Sequence, residues 1–215
     1  MIDHGIICFD LDGTLTDPYE GLTKSFEFGL DAVGIPHGPR SELAMFIGPP
    51  LVDAVCEHYK VDRATGERFL IEFRRYFEDK GWCDNKVYDG IPELLSKLKE
   101  KGKRIALATS KPTVFSRKIL ELFGIARFFD VVSGADAAAG REKKTEVLSY
   151  ALSFFDIRDG AVLVGDRKYD ADGAKNVGID SIGVMYGYGS RDEILDAGFT
   201  AVAGSVRELS ELLLG

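Results

Sequence analysis

Five short apolar runs constrain this chain more than any other feature. GIICFD (5–10), RIALATS (104–110), FFDVVSG (128–134), AVLVGD (161–166) and SIGVMYG (181–187) are each nearly continuous in apolar residues. That is the pattern of strands covered on both faces, not of strands with one face in water. Helical periodicity fills the gaps between them. IPELLSKLKEKG (91–102) puts Leu94, Leu95 and Leu98 on one face and stops at Gly102. PTVFSRKILELFG (112–124) opens with Pro112 in its first turn and ends at Gly124. KTEVLSYALSFF (144–155), DADGAKNVG (170–178) and SVRELSELLL (205–214) complete the series. Strand then helix, repeated, predicts an α/β fold with a doubly wound parallel sheet, a Rossmann-like core.

Residues 18–86 break that rhythm. LTKSFEFGLDAVG (22–34), PPLVDAVCEHY (49–59) and ATGERFLIEFRRYFEDKG (64–81) read as amphipathic helices, and no convincing strand lies among them. The expectation is a catalytic core of residues 1–17 and 87–215 with a small all-helical cap, 18–86, inserted after the first strand. The chain has 215 residues, enough for one medium domain carrying an insert. Its 35 acidic residues exceed its 27 basic ones, for a formal charge of −8. That balance argues against general binding to nucleic acid or membrane surfaces, though not against a small anion that meets only the local field. Cys8, Cys56 and Cys83 are odd in number and far apart, as free thiols in a reducing cytoplasm would be. No stretch approaches the roughly 18 apolar residues of a membrane span, and MIDHGIICFD is too short and too acidic for a signal peptide.

Three of the predicted strands end in polar residues. FDLDGTLTD (9–17) sets Asp10, Asp12 and Asp17 directly after the first strand; the second ends at Thr109 and Ser110; the fourth ends in GDRKYD, giving Asp166 and Asp170. In open parallel sheets ligands sit beyond the carboxyl ends of the strands, where strand order reverses. If the first and fourth strands are neighbours there, four aspartates converge on one crevice. Like charges held together resist ionising. Such a cluster calls for a hard divalent cation, and Mg²⁺ suits best because it shares its coordination sphere with substrate phosphate. The expected ligands are Asp10, the backbone carbonyl of Asp12, and Asp166, with Asp170 behind them or bound through water. His4, His37 and His58 show no metal-ligand spacing.

DLDGTLTD resembles the first motif of the haloacid dehalogenase superfamily of phosphohydrolases. ATS (108–110) resembles its second motif, a lysine near 144 its third, and GDRKYD its fourth; the likeness covers nearly the whole chain, cap included. FIGPPL (46–51), VYDG (87–90) and MYGYGS (185–190) are similar to the phosphoglycolate phosphatase-like branch. Many relatives carry Lys-Pro at the third motif, whereas this chain reads REKKTEVL (141–148), so either Lys143 or Lys144 could serve; Lys144, beside Thr145 at the helix start, is preferred.

The resemblance implies a covalent route. Asp10 would attack phosphorus, splitting one hard step into two. Asp12 would protonate the departing alkoxide and then take a proton from water, which requires its pKa to be raised by anionic neighbours. Thr109 and the Ser110 N–H would hold the phosphoryl oxygens and Lys144 would balance their charge, while Gly13 and Thr14 would shape the turn. Dehalogenases of this superfamily lack the second aspartate, so Asp12 favours phosphate esters. The cap would serve as a lid, with Lys24, Arg74 and Arg75 as candidate substrate contacts and the rings of FRRYF (73–77) as cap packing. The expected protein is a cytoplasmic monomer or homodimer with a small phosphorylated substrate, such as phosphoglycolate, a nucleoside monophosphate or pyrophosphate. A sugar phosphomutase on the same scaffold is the rival enzyme class.

Overall fold

The computed structural model describes residues 4–156 and 160–215. The chain divides into two compact units: residues 1–17 with 87–215, and residues 18–86. The described residues hold strands β1 (Ile6–Phe9), β2 (Thr16–Asp17), β3 (Lys86–Val87), β4 (Arg104–Pro112), β5 (Val131–Ala135), β6 (Ala161–Gly165), β7 (Asp180–Val184) and β8 (Ala201–Ala203). Six of them form one sheet in the order β5-β4-β1-β6-β7-β8, and β2 pairs with β3. Neighbouring strands of the large sheet run parallel throughout. The doubly wound parallel sheet expected from the apolar runs is therefore the fold.

The register sets up the site. Phe9 lies level with Leu107 of β4 and Val164 of β6. The next residues on those three strands are Asp10, Ala108 and Gly165, followed by Thr109 on β4 and Asp166 on β6. Chain order reverses at β1, between β4 and β6, so the three polar strand ends meet at the switch point.

Alternation splits β1 between two cores. On one face Ile6 and Cys8 join Ala106, Leu148, Leu152 and Leu163 in a buried cluster. On the other, Ile7 and Phe9 are wholly buried. Among the described residues six helices accompany this unit, and the four insert helices precede them in the chain: α1 (Tyr19–Ala32), α2 (Arg40–Leu43), α3 (Leu51–Tyr59) and α4 (Arg63–Tyr76), then α5 (Ile91–Glu100), α6 (Thr113–Leu122), α7 (Lys144–Leu152), α8 (Lys168–Val177), α9 (Arg191–Asp196) and α10 (Val206–Leu214). Leu94, Leu95 and Leu98 of α5 are buried together, as their spacing predicts. Each such side chain contributes about 1.5–3 kcal/mol on burial. Ser205 caps α10 by accepting the Glu208 N–H at 3.2 Å, while Glu208 accepts the Gly204 N–H at 2.7 Å.

The insert has its own aromatic core. Phe26 of α1 packs against Phe69 and Phe73 of α4, with ring centroids 5.9 and 5.0 Å away, and against Phe46 at 5.4 Å. Phe73 and Phe77 of FRRYF are buried and stacked at 6.0 Å. Asp62 starts α4 by accepting the Thr65 N–H at 2.7 Å.

Several boundaries differ from the sequence reading. The third apolar run, 128–134, opens on the last residue of a 3₁₀ turn, Ala126–Phe128, and becomes strand β5 only from Val131. Pro112 ends β4 and precedes α6, where the sequence reading placed it in the first helical turn. The last helix of the insert turns π-helical over Phe77–Gly81. Strand β8 and helices α2 and α9 are three to six residues long, too short to register as periodicity.

Candidate active site

Three backbone devices deliver the acidic side chains. Asp10 follows β1 and donates its N–H to the Val164 carbonyl at 2.9 Å, which ties the end of β1 to β6. Gly13 then turns the chain with φ +82°, and a Cβ there would collide with the Asp166 carboxylate. Asp166 follows β6, and Asp170 sits in the first turn of α8, where its Oδ2 accepts the Arg167 N–H at 3.1 Å. The four-residue spacing of GDRKYD thus puts one aspartate at a strand end and the other at a helix start, where backbone N–H groups need an acceptor.

One carboxylate oxygen from each of Asp10, Asp166 and Asp170 lies within 4.8 Å of the others, and all three residues are buried. Lys144, the first residue of α7, reaches into this group. Its Nζ donates to Asp10 Oδ1 at 2.6 Å and to the Ala108 carbonyl at 3.0 Å, and lies 2.8 Å from Asp170 Oδ1. Glu146 fixes the start of α7 by accepting the Glu142 and Lys143 N–H groups at 2.8 and 2.9 Å. Lys143 is exposed, so of the two candidate lysines it is Lys144 that the fold brings to the carboxylates.

One ammonium cannot neutralise three carboxylates. Burial, then the charges of Asp170 and Asp10, raise the Asp166 carboxyl well above its ordinary range, against the pull of the Tyr188 N–H on its Oδ2 at 2.7 Å. Asp170 is raised to about 6, chiefly by burial, with Lys144 pulling the other way. Burial alone would depress the Lys144 ammonium; attraction to Asp10 and Asp170 outweighs it and holds the group above its usual value. Asp166 Oδ1 and Asp170 Oδ1 are buried without a hydrogen-bond partner. The Asp170 atom has the Lys144 ammonium 2.8 Å away, whereas Asp166 Oδ1 is orphaned. An all-oxygen, anionic set with an orphaned buried oxygen fits a hard divalent cation.

Asp12 stands apart from that group. Its Oδ2 accepts from Lys111 Nζ at 2.5 Å, and its Oδ1 is buried without a partner. Its carboxyl is raised, and the cause corrects the sequence reading: burial leads, Lys111 opposes it, and the charge of Asp10 adds less. Thr109 is buried, and its hydroxyl accepts the Lys111 N–H at 3.3 Å; Ser110 is exposed. Thr14 is buried, with no hydrogen-bond partner for its hydroxyl.

Sequence reasoning missed Lys111, although it lies two residues beyond Thr109 on β4 and so shares its face. It also assigned no role to the tyrosines of MYGYGS. The Tyr186 hydroxyl donates to the Thr14 carbonyl at 3.0 Å, the Tyr188 hydroxyl donates to Asp17, and Tyr88 meets Tyr186 edge-on at 5.0 Å.

Within the insert, Lys24 pairs with Asp84 at 2.6 Å and Glu20 at 3.4 Å, and exposed Arg75 pairs with Glu72 at 3.4 Å; Arg74 is also exposed. His4 pairs with Asp180 and His37 with Asp31. The three cysteines are free. No helix among the described residues is long and apolar enough to cross a membrane.

A parallel sheet with carboxylates and a lysine gathered at its switch point defines a class, and comparison with known proteins agrees with it. The haloacid dehalogenase-like hydrolase family matches residues 7–184. The chain belongs to that family. It is 40% identical to a 5′-nucleotidase of Pseudomonas aeruginosa, over 87% of this chain and 86% of that one. It is 39% identical to the tyrosine-protein kinase PtkA of Mycobacterium tuberculosis, over 97% of this chain and 72% of that one. The solved PtkA structure superposes with a TM-score of 0.87 at 35% identity, covering 98% of each chain. A phosphoglycolate phosphatase of Vibrio parahaemolyticus is 30% identical over 98% of this chain and 96% of its own, in keeping with the branch that the sequence motifs resemble.

Proposed function

We propose that this hydrolase is a Mg²⁺-dependent phosphomonoesterase that works through a phosphorylated aspartate on a small phosphorylated metabolite. The observation that carries the reading is the buried group of Asp10, Asp166 and Asp170 around Lys144, with Asp166 Oδ1 left orphaned. Asp10, Asp166, Asp170 and the Asp12 carbonyl are the groups that would hold the cation. Once bound, the cation lowers the repulsion between the carboxylates and the incoming phosphate.

The protein's own groups divide the remaining work. An Asp10 oxygen attacks phosphorus as the bond to the leaving alkoxide breaks. Asp12, whose carboxyl is raised above the ordinary range chiefly by burial, gives a proton to the alkoxide. It then takes a proton from the water that attacks the aspartyl-phosphate, releasing phosphate and restoring Asp10. The Thr109 hydroxyl and Ser110 N–H hold phosphoryl oxygens, and Lys144 keeps Asp10 aimed while adding positive charge.

The substrate reading is a phosphomonoester of modest size. Names among the relatives include a 5′-nucleotidase and a phosphoglycolate phosphatase, which favours an alkoxide leaving group on a small metabolite. Turnover of p-nitrophenyl phosphate tests the reading. It should require Mg²⁺, be abolished in Asp10→Asn, and place oxygen from isotope-labelled water in the released phosphate. Turnover that survives chelation and the Asp10 substitution would defeat it. A panel of nucleoside monophosphates and phosphoglycolate, ranked by kcat/KM, then identifies the leaving group.

A further inference from the structure

FDLDGTLTD ends in Asp17, and MYGYGS carries Tyr188, and the reaction as described uses neither. The fold nonetheless joins them to each other and, through Tyr188, to the carboxylate cluster. The Tyr188 peptide N–H donates to Asp166 Oδ2 at 2.7 Å, and the Tyr188 hydroxyl donates to Asp17 Oδ1. The segment lies so close to Asp166 that a Cβ at Gly187 would overlap both the Asp166 side chain and the Gly13 carbonyl. The neighbouring Tyr186 hydroxyl is bound to the Thr14 carbonyl, inside the same first motif. Asp166 has two oxygens with different fates: Tyr188 occupies Oδ2, and Oδ1 is buried with no hydrogen-bond partner.

We propose that Tyr188 is a positioning residue for the metal site: its hydroxyl latches onto Asp17, which keeps its own N–H on Asp166 Oδ2 and leaves Oδ1 turned to the cation. The proposal rests on the reading of the cluster as a Mg²⁺ site. The physical argument concerns orientation. A carboxylate rotates about its last side-chain bond with little resistance, and an aspartate that must present one oxygen needs its other oxygen held. Past Met185, whose N–H still bonds the Ala203 carbonyl at 2.9 Å, the loop between β7 and α9 has no strand ladder; at Tyr188 the phenol anchors it, as the Tyr186 hydroxyl does two residues before. The anchor lies on the first motif, so the loop bearing the clamp and the strand end bearing Asp10 move as one piece. The last aspartate of DGTLTD then has a function, which is to accept the latch.

Mg²⁺ binding to the purified full chain, measured by calorimetry with the metal alone, tests this. Tyr188→Phe keeps the ring and the peptide N–H and removes only the hydroxyl. Its Mg²⁺ dissociation constant should rise roughly tenfold, the usual size of an outer-sphere effect. Asp17→Ala should match it, Asp17→Asn should stay near wild type because it keeps an acceptor, and Tyr188→Phe/Asp17→Ala should lose nothing further, since one link is cut twice. Mn²⁺ binding followed by electron paramagnetic resonance should rank the variants in the same order. Unchanged affinity in Tyr188→Phe overturns the proposal, as does a loss in the double variant equal to the product of the two single losses. So does a fall in melting temperature in chelator with no change in affinity, the signature of a merely structural link. Should Tyr188→Phe not fold, equal affinities of Asp17→Ala and Asp17→Asn would overturn it instead. A wild-type protein that binds no Mg²⁺ defeats the proposed function itself, an outcome distinct from the failure of the latch alone.

Discussion

Lys144 Nζ lies 2.6 Å from Asp10 Oδ1, an ion pair between side chains 134 positions apart in the chain, and both are buried. The contact closes the switch point of the sheet: α7 delivers the cation, β1 the anion. Truncating one partner of a buried pair costs about 3–5 kcal/mol, because the other charge stays uncompensated. Lys144→Met should therefore lower the melting temperature at pH 7 and reduce kcat by at least about 10²-fold. Added Mg²⁺ should recover part of the stability and none of the rate. Calorimetric melts and steady-state kinetics on the same preparation check this.

Lys111 acts on Asp12. It donates to Asp12 Oδ2 at 2.5 Å and opposes the burial that raises the Asp12 carboxyl. Removing the ammonium leaves burial opposed only by the weaker pull of Lys144, so the carboxyl rises further. If Asp12 is the acid, the alkaline limb of the kcat profile follows its deprotonation and should move to higher pH in Lys111→Met, with a lower maximum rate. A pH–rate series at saturating substrate shows the direction; a limb that stays in place or moves down would remove Asp12 from that role.

Folding stability without metal should carry the mark of the carboxylate group. The ordinary aspartate value is 3.8, and Asp170 in the folded chain is raised to about 6, with Asp166 also well above 3.8. A raised folded value means the folded chain keeps protons that the unfolded chain has released. Stability from these groups is complete below the unfolded value and is lost as pH rises through the folded one, which for Asp170 means between about 4 and 6. In chelator, these groups should make the protein less stable at pH 7 than at pH 5. On the proposed function Mg²⁺ would take the deprotonated oxygens, so the melting-temperature gain on adding it should be larger at pH 7.5 than at pH 5. Melts at both pH values, with and without the ion, read the sign directly.

The insert's stability is a separate matter. Phe73 packs on Phe26, Phe69 and Phe77. Phe73→Ala should cost about 3–5 kcal/mol locally. Hydrogen exchange should show lost protection across α1 and α4 first, with the strands of the large sheet retaining theirs.

How much of this was legible beforehand follows from what each signal depends on. The sheet was readable because β1, β4 and β6 are buried on both faces and so are written in apolar residues with little alternation. Asp10, Thr109, Asp166 and Asp170 were readable as candidates because strand-end polar residues stand out after such runs. That Lys144 and not Lys143 reaches the carboxylates depends on which residue begins α7, a matter of helix register that Glu146 fixes through the cap. Lys111 was passed over because a lysine beside a proline at a helix start looks like solvent-facing charge; only the continuation of β4 to Pro112 turns it inward. The Tyr188–Asp17 contact joins residues 171 positions apart and has no local pattern at all. The short strand β8 and helix α9 are tertiary products, held by neighbours more than by their own periodicity.

Acid-quenched mass spectrometry during turnover of p-nitrophenyl phosphate addresses the central claim most directly. Phosphate should appear on the tryptic peptide containing Asp10, only when Mg²⁺ is present, and should disappear in a chase without substrate. Steady turnover with no phosphate on that peptide, or with phosphate on another side chain, would contradict the aspartyl-phosphate route.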